Sequence, residues 1–425
     1  MEAVEEMISE NKELGKPGIQ AFMVVWWGQL VSLIGSAITA FALNLWVYER
    51  TKSVTLFSLS LTAMVLPGLL ISPVAGALVD RHSRKAAMIL SDCGAGLCSM
   101  TIAVLVFRGV LHVWHIYCLA ALASCFSSLR WLAYSALTTS LAPKDRYGKA
   151  AGLIQIAEAL SQILAPMAAI ALMGKARLQG ILVLDIVTFL FSIATLLTVS
   201  DAGALPEKRN TFLWEEIKEG WLYLKAHREL ARLLYFFAFM NLIVGYFIVL
   251  SVPLLLTFTT ESAIGTILTI AISGMMLGGV FMAATGGTKV KMNAILGAVW
   301  FAGASIIACS FARGPVWYTI GAFAVYFCVP VVNAASQAIW QAKVAPEKQG
   351  RVFATRRIVA MASLPFAYAT AGPLSNALGR WGNYSVAQGI DNMFLLLGTL
   401  TLFAGIFCAA NIRFRCMESM LPDAA

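Results

Sequence analysis

Long uncharged apolar segments recur along almost the whole chain, and no other feature restricts its fold as strongly. The stretch from Ala21 to Tyr48 contains no charged residue, and eleven further apolar segments of similar length follow it. At about 1.5 Å per residue, roughly twenty residues cross the ~30 Å hydrocarbon core of a bilayer. A backbone in lipid must satisfy its own hydrogen bonds, so such segments form helices. The chain is therefore predicted to be an all-α integral membrane protein.

The twelve predicted spans divide into two groups of six. They are expected at about 21–48, 54–79, 86–107, 113–138, 150–173 and 181–199, and then at about 233–257, 264–284, 292–311, 316–340, 358–378 and 389–410. An amphipathic helix that begins at Trp214 separates the two groups. We predict a cytoplasmic tail (1–20), an N-terminal six-helix bundle (21–200), a cytoplasmic linker (201–230), a C-terminal six-helix bundle (231–411) and a second cytoplasmic tail (412–425).

Charge placement predicts the orientation. Of the 31 Lys and Arg residues, 23 fall in segments on one side of this topology and 7 in segments on the other. Because cytoplasmic loops carry the excess of positive charge, both termini are predicted to be inside. With only 12% charged residues and a mean hydropathy of +0.78, a soluble protein is excluded. The net charge of +9 is explained by topology, and no nucleic-acid partner is expected.

A short charged loop, Gly76-Ala-Leu-Val-Asp-Arg-His-Ser-Arg-Lys85, separates the second and third spans. Gly76 is expected to let two helices pack closely, and Asp80 to accept hydrogen bonds from free N–H groups at the start of the next helix. A tight cytoplasmic turn held by positive charge is the simpler interpretation of the basic residues: Arg81, Arg84 and Lys85.

The spacing G-x-L-x-D-R-x-x-R-K closely resembles the loop between helices 2 and 3 of major facilitator superfamily transporters. In that family the loop serves as a latch between two six-helix halves. We assign Asp145 and Arg146, in the loop after the fourth span, to the same latch. That loop is echoed about 203 residues later, after the tenth span. Two halves related by a parallel repeat are the arrangement of this superfamily, with the substrate site between them near mid-membrane.

Further segments are similar to the macrolide-efflux and siderophore-exporter branch of the superfamily: 27–36, 41–51, 66–73 and 216–224. The resemblance implies export of an amphipathic small molecule from the cytoplasm, driven by proton entry. We expect a monomer in the cell membrane that contacts lipids, protons and a small-molecule substrate and needs no cofactor.

Ionisable side chains inside the spans cost about 2.5–3.5 kcal/mol each and are functional candidates. Four are proton-coupling candidates, all in the first half: Asp92, Arg130, Glu158 and Asp185. Arg130 and Glu158 lie at similar depth, roughly 12 Å, in antiparallel neighbouring spans. We predict an Arg130–Glu158 pair that faces the central cavity, with Glu158 as proton carrier; a static pair that fixes helix packing is the alternative. For Asp92 and Asp185, a cap or a hydrogen bond to a neighbouring helix is favoured over a transport role.

Uncharged polar side chains within the spans either contact substrate in the cavity or hold helices together. These candidates are Gln29, Asn44, Gln155, Gln162, Asn241, Asn333 and Gln337. The fifth span also resembles, with several glycines replaced, the glycine-proline motif of antiporters in this superfamily. The matching positions are Gly152, Ser161, Ala165, Pro166 and Ala169. No metal site is predicted, since His112 and His115 have no third ligand nearby.

Three functions remain open from the sequence. A secondary exporter of a drug-like or peptide-derived metabolite is the first choice. A lysophospholipid flippase is a second transporter hypothesis, and it requires a lateral opening to lipid. A membrane partner or sensor that has kept the fold without transport is the third, suggested by the loss of the acid from the segment around Lys289. No phosphate-binding glycine loop or activated nucleophile points to an enzyme.

Overall fold

A computed structural model describes residues 19–81, 83–141, 147–199, 213–285, 290–344, 346–381 and 385–411. These residues form helices and no strands. The helices are α1 (Ile19–Thr51), α2 (Val54–Arg81), α3 (Arg84–Phe107), α4 (Val113–Leu141), α5 (Tyr147–Thr198), α6 (Leu213–Ala226), α7 (Arg228–Leu255), α8 (Glu261–Thr285), α9 (Lys291–Ser310), α10 (Pro315–Lys343), α11 (Pro346–Trp381) and α12 (Val386–Ala410).

Eleven of these helices are long and apolar enough to cross a membrane, and α5 supplies two crossings. Its 52 residues would extend about 78 Å as one continuous helix, more than twice the thickness of a hydrocarbon core. Arg177 interrupts it with φ 55° and ψ −176°, which is not a helical conformation. We call the part before Arg177 α5a and the part after it α5b. Six crossings therefore precede the amphipathic helix α6, and six follow it.

The predicted spans are found, but several helices extend beyond them. Helix α4 continues to Leu141, α10 to Lys343, and α11 begins at Pro346 instead of near residue 358. Charged residues at helix ends lower the hydropathy without ending the helix, since Lys, Arg and Glu are good helix formers. We call the end predicted to face the cytoplasm the inner end, and the opposite one the outer end.

The two bundles have differently built interiors. The N-terminal bundle contains two apolar clusters, one around Phe22 and Met88 and the other around Ile102 and Leu182. The C-terminal bundle has one continuous cluster, which includes Phe247 and extends to a few residues at the outer ends of α1 and α2. The Phe247 ring lies 5.1 Å from Phe394 and 6.1 Å from Tyr326, centroid to centroid. Buried polar side chains separate the two N-terminal clusters, and they form the candidate site.

The bundles meet mainly through α2 with α11 and α5 with α8. Towards the outer end, Asn376 Nδ2 donates to Thr55 Oγ1 at 3.2 Å, and Thr269 Oγ1 donates to the carbonyl of Ile163 at 3.1 Å. Nearer the inner end, the Arg357 guanidinium of α11 stacks 3.5 Å from the Trp131 ring centroid of α4. Contacts between described residues therefore join the two halves both towards the outer end and nearer the inner end.

Candidate functional site: a buried network of two carboxylates and one arginine

Helix α1 packs tightly along α5b because it presents small residues to it. A Cβ at Gly28 would overlap the side chain of Thr195, and one at Gly35 would overlap Thr188. Seven residues make two helical turns, so these glycines lie on one face of α1. The polar residues Gln29 and Ser36, each next to one of the glycines, are thereby brought against α5b and α3.

The inner layer of the network is centred on Asp92 of α3. Its Oδ2 accepts hydrogen bonds from Gln29 Nε2 at 3.1 Å and from Ser192 Oγ of α5b at 2.7 Å. Gln29 Nε2 also donates to Ser192 Oγ at 2.7 Å. The carboxyl is fully buried. In such a place it either carries a proton or, when ionised, requires a cation nearby.

The outer layer is centred on Asp185 of α5b. Its Oδ2 accepts from Ser99 Oγ of α3 at 2.7 Å, and its Oδ1 from Ser36 Oγ at 3.3 Å. Asp185 is 1% exposed. The prediction that Asp92 and Asp185 hydrogen-bond neighbouring helices is consistent with these contacts.

The two layers are built by the same spacing on antiparallel helices. Asp92 and Ser99 are seven residues apart on α3, and so are Asp185 and Ser192 on α5b. Each aspartate meets the serine of the other helix, and α1 adds Gln29 to one layer and Ser36 to the other. Seven residues correspond to about 10 Å along a helix, which is the expected separation of the layers.

Arg130 of α4 contacts the inner layer and acts on the outer layer through its charge. Its Nη1 lies 3.7 Å from Asp92 Oδ1 and 3.4 Å from Ser32 Oγ, and its charge also acts on Asp185. The residue is 8% exposed. With both carboxylates ionised, this buried group carries a net charge of −1, and one bound proton makes it neutral. Because a net charge is costly in a medium of low dielectric, the arrangement favours uptake of one proton.

A cavity of about 280 Å³ gives access to the outer layer. Arg130, Asp185, Ser36 and Ser99 line it together with apolar side chains such as Met64. It is large enough to hold several water molecules. Asp92 does not line it. Solvent in this space can therefore exchange protons with Asp185 more directly than with Asp92.

The predicted Arg130–Glu158 pair is wrong, because the cation of Arg130 lies against Asp92 instead. Glu158 is half-buried and faces the other bundle, where its charge acts on Arg357 of α11; it also acts on Tyr134 of α4. Hydropathy gives the depth of a residue and not the direction in which its side chain leaves the helix. Two residues at equal depth were therefore paired although they point to different neighbours.

The structure describes part of the charged loop after α2, and the hydrogen bonds predicted for Asp80 stay a prediction. Nothing in the described part of the chain lies within 4 Å of a Cβ placed on Gly76, so the close helix contact expected at this glycine is not found among the described residues. The α3 N-terminus is capped by Ser83, whose side chain accepts from the Ala86 N–H. Lys85 Nζ donates to the carbonyl of Val199 at 2.5 Å, where a cation stabilises the end of α5b.

Most of the other residues assigned to the latch have side chains outside the described structure. Asp80 and Arg81 fall in α2, but their side chains are outside the described part, and Arg84 begins α3. Asp145 and Arg146 lie outside the described residues altogether.

The antiporter-like motif lies in α5a. Ser161 Oγ donates to the carbonyl of Glu158 at 2.8 Å, and Ala165 and Ala169 are buried. A Cβ on Gly265 of α8 would lie 3.0 Å from the carbonyl oxygen of Pro166, so α5a approaches the other bundle closely here. Gly152 is in the same helix, with surroundings outside the described part.

The uncharged polar side chains predicted to contact substrate or to hold helices together have different surroundings in the structure. Gln29 belongs to the Asp92 layer, whereas Asn44 Nδ2 contacts Met64 Sδ at 3.2 Å and Asn241 Nδ2 donates to the Ala360 carbonyl at 3.1 Å. These three hold helices together. Gln162 and Asn333 are exposed, Gln337 binds Arg356, and the side chain of Gln155 is outside the described part.

Sequence reasoning missed Ser36, Ser99 and Ser192, and it assigned Arg356 and Arg357 to a loop. A signal for the serines was present. The D-x6-S spacing occurs at both 92–99 and 185–192, and Gln29, Ser32 and Ser36 form a polar stripe at helical spacing on α1.

Comparisons with known proteins agree with this architecture. The chain is 26% identical to macrolide efflux protein A of Streptococcus pyogenes over 402 residues, which cover 91% of this chain and 95% of that protein. It is also 26% identical to macrolide efflux protein A of Enterococcus faecalis, over 74% of this chain and 98% of the relative.

Among solved structures, a bacterial homologue of the iron transporter ferroportin in an inward-facing state superposes with a TM-score of 0.68 at 13% identity. The match covers 91% of this chain and 99% of that one. A bacterial homologue of the lysosomal transporter Spinster, also inward-facing, gives 0.65 at 12% identity, over 94% and 96% of the two chains. The family model of the Major Facilitator Superfamily matches residues 25–363. With this match, the chain belongs to the Major Facilitator Superfamily and is a multi-pass membrane transporter of that family.

Proposed function

We propose that the protein is a proton-coupled exporter of an amphipathic small molecule in the cell membrane. The observation that carries this proposal is the buried set of Asp92, Asp185 and Arg130, which holds one more acid than base. The relatives named macrolide efflux protein A support efflux as the direction and a macrolide-like molecule as the substrate class.

The proposed cycle follows from the charge of this set. When Arg130 neutralises Asp92, Asp185 holds the proton; when Arg130 moves towards Asp185, Asp92 must be protonated or neutralised in another way. A guanidinium that shifts between two carboxylates therefore couples proton loading to helix position. The substrate binds between the halves, and alternating access exposes it first to the inner and then to the outer side.

Proteoliposomes with an imposed pH gradient test this proposal. Wild-type protein is expected to accumulate the macrolide erythromycin against its gradient, and Asp92→Asn and Asp185→Asn are expected to lose this accumulation. Both variants should still exchange labelled for unlabelled erythromycin without a pH gradient, since exchange requires substrate binding but no net proton movement. Glu158→Gln, which is outside the network, serves as the control and should retain accumulation.

Parallel assays separate the alternatives. Transbilayer movement of a fluorescent lysophospholipid, without transport of erythromycin, would favour the flippase. Failure to move any compound in a well-folded preparation would favour a partner or sensor without transport. Accumulation that persists in the Asp92→Asn/Asp185→Asn double variant would eliminate the proposed coupling site.

A further inference from the structure

Among the described residues, the groups that hold Arg356 of α11 are all neutral. Its Nη1 donates to Gln337 Oε1 of α10 at 2.7 Å, and its Nη2 donates to Ser336 Oγ at 3.2 Å. The guanidinium carbon lies 5.1 Å from the centroid of the Trp340 ring. The side chain is therefore fixed in position and partly buried.

The ion pairs of other arginines show what is missing here. Arg130 lies near Asp92, Arg232 pairs with Glu229 at 3.2 Å, and Arg313 pairs with Asp391 at 2.9 Å. Within the described ranges of the chain, no carboxylate forms an ion pair with Arg356. A guanidinium has five N–H donors, and two are used. A partly desolvated cation with unused donors and a fixed orientation is a prepared site for an anion.

Neighbouring groups extend this site. Trp340 is fully buried, and its Nε1–H has no hydrogen-bond partner in the part of the chain that the structure describes. Asn333 lies one helical turn from Gln337 on the same face of α10 and is exposed. It lines, with Asn241, an otherwise apolar cavity of about 50 Å³ formed by α7, α9 and α10 with Thr401 of α12. A polar anchor thus lies one turn from an apolar surface.

We propose that Arg356 binds the anionic group, a carboxylate or a phosphate, of an amphipathic ligand whose apolar part lies against the apolar surface of α10 beside Asn333. The inference goes beyond the proposed function, because erythromycin is a cation near neutral pH and the anion at Arg356 is a second ligand. If Arg356 only joined α10 to α11, the charge of an added amphiphile would make no difference to it.

Ligand-dependent thermal unfolding in phosphatidylcholine nanodiscs tests the site without requiring transport. Dodecyl phosphate is expected to raise the unfolding temperature of the wild type more than dodecyltrimethylammonium or inorganic phosphate does. Arg356→Gln should weaken the dodecyl phosphate effect at least about tenfold in concentration, since charge-assisted hydrogen bonds are lost. Arg356→Lys should retain part of the effect. Arg232→Gln, which removes a cation paired on the surface of α7, is the matched control and should bind like the wild type.

A second variant keeps the test decisive if Arg356→Gln does not fold. Gln337→Glu places a carboxylate next to the guanidinium, so it should preserve the fold and abolish the response to dodecyl phosphate. Equal responses to both amphiphiles, or a normal response in Arg356→Gln and Gln337→Glu, would overturn the inference.

Two further arms identify the source of the anion and separate this inference from the proposed function. If phosphatidylglycerol in the nanodisc produces the Arg356-dependent stabilisation and blocks dodecyl phosphate, the site exists and a bilayer lipid occupies it. Arg356-dependent binding in a protein that moves no solute under a pH gradient would support this site and contradict the transport proposal. If the wild type accumulates erythromycin but shows no Arg356-dependent anion binding, the transport proposal is supported and the anion site is contradicted.

Discussion

The two halves contain the same number of membrane crossings but bury different kinds of side chain. In the N-terminal half, a polar layer around Arg130 separates two apolar clusters. In the C-terminal half, one apolar cluster around Phe247 is continuous, and the charged residue Arg356 lies among neutral partners at the inner end. A continuous apolar interior has little to gain from rearrangement, whereas the charge balance of a buried network changes when a proton binds or leaves. The proposed proton coupling therefore belongs to the first half, and the proposed anion site to the second.

The largest expected effect follows from removing the shared cation. Arg130→Gln leaves Asp92 and Asp185 buried without a counter-charge, so we expect a loss of about 3–5 kcal/mol in stability together with loss of pH-driven accumulation. Thermal unfolding in nanodiscs and transport in proteoliposomes measure the two effects. Arg356→Gln is the comparison in the other half: it leaves only neutral acceptors behind and should cost less. Equal losses would remove the distinction between the halves.

A core truncation in the C-terminal half should affect stability alone. Phe247→Ala deletes a fully buried ring that packs on Phe394 and Tyr318, and we expect a cost of about 3–5 kcal/mol. The number of protons moved per substrate should be unchanged in the folded fraction, measured by pH-sensitive dye in proteoliposomes. A changed stoichiometry would mean that the apolar half takes part in coupling.

Two buried serines offer a matched pair of smaller changes. Ser192 Oγ donates to Asp92, and Ser251 Oγ accepts from Tyr318 in the C-terminal half at 2.5 Å. Each Ser→Ala change should cost about 1–3 kcal/mol, because a buried partner is left unsatisfied. Only Ser192→Ala should shift the pH dependence of transport, since only it alters a hydrogen bond to a carboxylate. A shift of the same size in Ser251→Ala would contradict the account.

The smallest effect is expected at the surface. Arg313 is paired with Asp391 but its side chain is 70% exposed, so Arg313→Gln should change stability by about 1 kcal/mol or less. Transport and its pH dependence should be unaffected. This variant also measures the background against which the Arg130 and Arg356 effects are judged.

Much of the fold was predictable from the sequence, because spans longer than about twenty apolar residues have only one structural solution in a bilayer. The break at Arg177 was also predictable, since the fifth and sixth spans were separated by a short charged segment. The end of α10 and the start of α11 were not predictable, because Lys343 and Arg356 lower the hydropathy while the helix continues.

The site was predicted in part. The positions of Asp92, Arg130 and Asp185 within the predicted spans correctly indicated that these side chains are buried. The partner of Arg130 depends on the rotation of each helix about its axis, which hydropathy does not report. The reciprocal pairing of Asp92 with Ser192 and of Ser99 with Asp185 needed the antiparallel packing of α3 and α5b. The proposed anion site at Arg356 could not be predicted from the sequence, because it is recognised by the lack of an acidic partner among the described residues.

The most direct test of the central claim is the pH-difference infrared spectrum of the protein in lipid, in the region of the carboxylic acid C=O stretch. Two aspartates that share one arginine should retain one buried proton, so the wild type should show a titrating band of a protonated carboxyl. That band should be absent in the Asp92→Asn/Asp185→Asn double variant and present in Glu158→Gln. A wild-type spectrum without the band, or a band that survives in the double variant, would contradict the account.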